Sequence, residues 1–157
     1  MGAAATLGGS AVSCSKGRWR FFTPAEARTV DAICAQIIPS DQDAGAREAG
    51  VVNYIDIQLT RHFKQHQDLY RRGIASVDEL SRARLGRPFA DLTPAEQVEM
   101  LHDVQKKARE FFDLILAHTM QGFYGDPRHG GNRDAVSWKM LALPFPQVRG
   151  RRSGAAV

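Results

Sequence analysis

Cysteine is scarce: Cys14 and Cys34 are the only two in 157 residues. They form no CxxC pair and no metal-ligand spacing, so a zinc-stapled domain is excluded, and a Cys14–Cys34 disulfide requires an oxidising compartment. Strand-like alternation never lasts long enough to build a sheet. No apolar run is long enough to cross a bilayer as a helix. Blocks of five or six like charges are missing as well, although the chain carries a net charge of +4 and a pI near 9.4. The signatures HExxH, GxSxG, GxGxxG and GxxxxGK[ST] do not occur, which removes the usual sequence grounds for a metalloprotease, a serine hydrolase, a dinucleotide fold or a phosphate loop. What remains is ordinary for a globular domain: 43% hydrophobic and 24% charged residues, in a chain long enough to bury a core.

Helical periodicity fills most of that chain. "FFTPAEARTVDAICAQIIPSD" starts with Thr23 as cap, Pro24 at the first helical position and Glu26 completing a capping box. Phe22 stands where a hydrophobic staple onto Ala27 would form. Val30, Ile33, Cys34, Ile37 and Ile38 share one face, and Pro39 ends the helix; Cys34 reads there as a small buried hydrophobe. The spacing predicts a second helix from Gly50 to about His66, burying Val51, Tyr54, Ile55, Leu59 and His62. A third is predicted over Gln67 to Leu85, with Tyr70, Ile74 and Val77 on one face. Thr93, Pro94 and Glu96 repeat the first start signal and open a fourth helix to about Lys107. The fifth, "AREFFDLILAHTMQGFYG", is apolar nearly all round at Phe111, Phe112, Leu114, Ile115 and Leu116, as expected of the central helix of a bundle.

Titratable groups offer few candidates. His62 and His66 stand four apart, a spacing that two metal ligands can use, but a solvated helix face is the simpler reading. His118 lies on the apolar fifth helix, where a hydrogen-bonded core histidine is expected. Glu110 and Asp113 flank the same helix without defining an acid–base pair.

One stretch stands apart: "GFYGDPRHGGNRDAVSWK", residues 122 to 139. Gly125 to Pro127 reads as a turn, while Gly130 and Gly131 permit unusual backbone angles or close approach. Asn132 or Asp134 suits the cap of a short helix over "AVSWKMLAL" that Pro144 and Pro146 stop. Trp138 is the kind of large residue enriched at interfaces. The expected fold class is all-α: a bundle of about five helices with a long glycine-rich C-terminal excursion and a short terminal helix. Residues 1–20 form a truncated signal-like or flexible segment in this reading, 21–146 the helical domain, and 147–157 a disordered basic tail.

"FFTPAEARTVDAICAQIIPSD", "EAGVVNYID" at Glu48 to Asp56, and "HTMQGFYGDPRHGGNRDAVSWK" at His118 to Lys139 occur in this order. Together they make the chain resemble the gluconate 2-dehydrogenase subunit 3 family, over about Phe21 to Pro146. The resemblance implies a small, non-catalytic accessory subunit without a cofactor of its own. Its partner would be a large FAD-bearing subunit of the glucose–methanol–choline type, with a cytochrome c carrying haem c as a further electron-transfer subunit. Gluconate 2-dehydrogenase and glucoside 3-dehydrogenase are the activities it points to.

Family members of this kind commonly carry a twin-arginine signal and bring their folded partner into the bacterial periplasm. No twin arginine precedes the apolar run here, which leaves the export route open, as it leaves open lipidation of Cys14. The docking residues expected for the partner are Phe123, Tyr124, Asp126, Pro127, His129, Gly130, Gly131, Asn132, Arg133, Trp138 and Lys139. No nucleic acid enters this reading. The alternative is a free-standing basic module for nucleic acid or an anionic surface, served by Arg128, Arg133, Arg149, Arg151 and Arg152. A third reading is an enzyme using His118 or His129.

Overall fold

The computed structural model describes residues 19–143. Among them six α-helices and four short 3-10 turns occur, and no strand. The helices are α1 (Pro24–Ile37), α2 (Val51–Leu59), α3 (Gln67–Leu85), α4 (Pro94–Lys107), α5 (Arg109–Tyr124) and α6 (Val136–Met140). The all-α expectation holds. Cys14, residues 1–18 of the leader-like segment and the tail from residue 147, with Arg149, Arg151 and Arg152, lie outside the described residues.

Both capping boxes form. Thr23 and Thr93 accept from the backbone N–H groups of Glu26 and Glu96, and each glutamate accepts in return from its threonine N–H. Two orphan donors are satisfied at each helix start, and Pro94 and Pro24 cost nothing because the first position needs no donor. α1 touches α2, α3, α4 and α5, and α5 touches all of these and α6. The core is one cluster centred on Val30, Ile33, Ile55, Tyr70, Phe89, Phe111, Ile115 and Phe123.

Two helix expectations need correction. The second helix ends at Leu59, not near His66, because Thr60 turns its hydroxyl onto the Ile57 carbonyl and Gln67 Nε2 caps the Leu59 carbonyl at 2.8 Å. His62 and His66 therefore do not share a helix, and His62 is exposed, not buried. α5 is the central helix, touching every other, yet it is not buried all round. It buries Phe111, Ile115, His118, Thr119, Gly122 and Phe123, while Leu116 faces outward.

Candidate functional site

The two motif segments that are far apart in sequence meet in space. "EAGVVNYID" forms the entry and body of α2, and residues 125–135 fold back across it. Glu48 prepares the entry by accepting from Gly45 N–H and Ser40 Oγ, bonds that hold its carboxyl below the usual carboxylate range. Gly50 caps α2 at φ +68°, a conformation glycine adopts without strain. The Ala49 carbonyl then accepts from Arg133 N–H at 2.9 Å. Asn53 Nδ2 donates to the Gly130 carbonyl at 2.7 Å, and Gln58 Nε2 to that of His129 at 3.4 Å. The entry and body of α2 thus hold the backbone of the returning segment.

Glycine makes the closeness feasible. A Cβ on Gly131 would stand 2.2 Å from the Gly122 carbonyl oxygen, and one on Gly122 would stand 2.8 Å from the Tyr54 ring. The end of α5, the returning segment and α2 therefore stack at a separation no side chain would permit. Asn132 locks the arrangement. It is fully buried in a left-handed conformation, donates from Nδ2 to the Gly125 carbonyl at 2.9 Å and accepts from Ser137 N–H at 3.0 Å. Asn132, and not Asp134, provides the side-chain oxygen near the start of α6.

The docking residues expected from sequence divide in two. Phe123, Gly131 and Asn132 point into the fold, so in this chain they support the segment and present no surface. Gly130 takes φ +100° beneath Asn53 and Ile57. Asp126 and Pro127 start a 3-10 turn, with the Asp126 carboxylate gripping Arg128 through its backbone N–H and guanidinium, which lowers the carboxyl pKa. Trp138 is half-buried, and its Nε1–H donates to the Tyr124 carbonyl at 2.9 Å, tying α6 to the end of α5. Tyr124, His129, Arg133 and Lys139 are exposed.

Sequence reasoning missed Asp56, Asn53 and Gln58. Asp56 is only 1% exposed, and its carboxylate accepts from the N–H groups of Arg20, Phe21 and Phe22 at 2.7, 2.9 and 3.0 Å. The signal is Asp56 as the sole charged residue of a largely apolar helix, which must be satisfied from elsewhere in the chain if it is buried.

The remaining chemistry-bearing groups are committed to the core. His118 Nδ1 bonds the Tyr70 hydroxyl at 2.9 Å, and the ring stacks on Phe63 with centroids 4.0 Å apart. Burial, helped by His66 nearby, pulls its pKa down to about 4. Cys34 contacts the Thr119 hydroxyl, and burial pushes its thiol up to about 12, which leaves no thiolate for nucleophilic work at neutral pH. Among the described residues no three His, Cys, Asp or Glu side chains gather as a metal-holding group. No helix there is long and apolar enough to cross a membrane. A cleft of about 360 Å³ opens between Tyr54, Gln58, His62, Phe63, Gln121 and His129, next to the returning segment.

His118 makes stability pH-dependent. The unfolded imidazole titrates near 6.5 and the folded one near 4, so between those values only the unfolded chain takes up the proton. Stability should therefore fall as pH drops from about 6.5 to about 4, by about 3 kcal/mol for this group. Urea unfolding at neutral pH and at about pH 4.5 checks it, with His118→Gln expected to remove that part of the slope.

No curated protein and no solved structure matches the chain. The family model described as gluconate 2-dehydrogenase subunit 3 matches residues 24–144. That span runs from the first residue of α1 to just beyond α6 and takes in both interlocked segments, and the chain belongs to the gluconate 2-dehydrogenase subunit 3 family.

Proposed function

We propose that the chain is the non-catalytic accessory subunit of a bacterial FAD-dependent sugar dehydrogenase. In this role it binds a large flavoprotein subunit of the glucose–methanol–choline type, stabilises it and accompanies it through maturation and export to the periplasm. The observation that carries the reading is the use of the two distinctive segments. Their polar groups are spent inside the fold: Asn53 on Gly130 joins the two segments, Asn132 on Gly125 and Ser137 fixes the second, and Glu48 on Gly45 holds the entry to the first. A segment built this way holds a shape for another chain to meet, and the family it belongs to is that of a dehydrogenase subunit.

Stabilisation needs no special device. A chain that binds only the folded partner shifts the partner's folding equilibrium by mass action. FAD belongs to that partner in this account, and haem c to a further cytochrome subunit; this chain requires no cofactor. Gluconate and 3-position glucoside oxidation are the activities under which the partner should be tried first.

Of the basic residues that would serve nucleic acid, Arg128 pairs with the Asp126 carboxylate. The test is co-expression of the tagged chain with the flavoprotein encoded beside it. A stable heteromer is expected, with an interface on the order of 2,000 Å² or more. A chain that stays alone, or that binds nucleic acid with steep salt dependence, would overturn the reading.

A further inference from the structure

The outward face of α5 changes character halfway along. In its first turns the exposed positions are Arg109, Glu110 and Asp113; from Leu116 to Tyr124 the exposed positions carry no charge at all. Leu116, Met120 and Tyr124 follow one another at i, i+4 and i+8 and stand 36%, 42% and 39% exposed. A helix face that meets water normally carries charged side chains, and charge depletion marks the centre of protein interfaces. The apolar character also spreads sideways. Leu116 and Val98 of α4 line one groove of about 230 Å³, floored by Ile37, Leu101 and Phe112. At the other end Trp138 ties on α6, whose Met140 and following Leu143 are exposed in turn.

We infer that this charge-free face of α5, with Val98 on one side and the end of α6 on the other, is the surface covered by the larger dehydrogenase subunit. The inference rests on the accessory-subunit reading and adds to it the place of contact. The family's own description is that of a subunit, which requires a partner chain. Charge supplies the partner's chemistry: Arg133 and Lys139 are exposed around α6 and form no ion pair with a carboxylate among the described residues. The matching surface is an apolar ridge edged by acidic residues. Leu116, Met120 and Tyr124 are its centre, which moves the docking surface from the returning segment to the helix that segment braces.

The test is a pull-down with the full chain and its co-expressed large subunit, comparing wild type, Leu116→Asp with Met120→Glu, and the control Ala75→Glu on the exposed face of α3. The double variant should lose at least tenfold in recovered partner, while the control matches wild type. Circular dichroism reports on folding. If the double variant loses helix, Met140→Glu with Leu143→Asp takes its place and should show the same loss. Full recovery of partner by the folded variant overturns the surface and leaves the subunit reading standing; failure of the wild-type pair to form overturns that reading too. A homodimer of the isolated chain that the same substitutions dissolve would give the face to a second copy. Stronger hydrophobic-dye binding by a chain ending at Leu143 would give it to the chain's own last residues. Either result overturns the inference.

Discussion

Replacing Asp56 with alanine is expected to remove about 3 to 4 kcal/mol of folding stability, read as a lowered urea midpoint at neutral pH. Three backbone donors, from Arg20, Phe21 and Phe22, end on this one carboxylate. Hydrogen bonds to a charged acceptor are worth roughly 1.5 to 3 kcal/mol each, and relief from burying the charge returns part of that sum. The loss would spread beyond the three bonds. Phe22 sits in the core at the end of this strap, and Arg71 lies over the Phe21 ring at 4.0 Å while donating to its carbonyl. Asp56→Asn keeps the shape but turns an amide N–H₂ towards one of the three donors, so about half the loss is expected. A change below about 1 kcal/mol in the alanine variant would mean that the strap is held by its aromatic packing instead.

Asn132→Ala should cost about 3 kcal/mol by the same measurement. The substitution leaves the Gly125 carbonyl and the Ser137 N–H without their partner inside the protein, at roughly 1 kcal/mol or more apiece. It also puts alanine at φ +43°, where asparagine is better tolerated. The expected structural signature is local. Trp138, held to the Tyr124 carbonyl across the same junction, should become more exposed, which red-shifts its fluorescence. An unshifted spectrum together with lost stability would separate Asn132 from the positioning of α6.

Local chemistry made most helices readable. Thr23-Pro24 with Glu26 and Thr93-Pro94 with Glu96 state where α1 and α4 begin, apolar spacing marks α3 and α5, and Gly125 ends α5. The second helix is shorter than its periodicity suggests because side chains beyond it cap its end, Thr60 on Ile57 and Gln67 on Leu59. The role of the glycine-rich segment was only half legible. Its glycines announce a close approach, but nothing in the order of residues says that the thing approached is α2 of the same chain. For the same reason Phe123 and Asn132 read as surface residues and prove to be buried, whereas Tyr124 stays outside. The exposed half of α5 looked like core because composition reports an apolar face and is silent on who covers it.

The central claim is that the chain serves chemistry located in another subunit. Its most direct test is to purify the large subunit expressed with and without this chain, and to compare bound flavin and dehydrogenase activity per molecule of large subunit. Flavin should be found with the large subunit alone, and the chain should raise the yield of flavin-loaded, active partner without binding flavin itself. Equal yield and activity in its absence, or sugar oxidation by the isolated chain, would contradict the account.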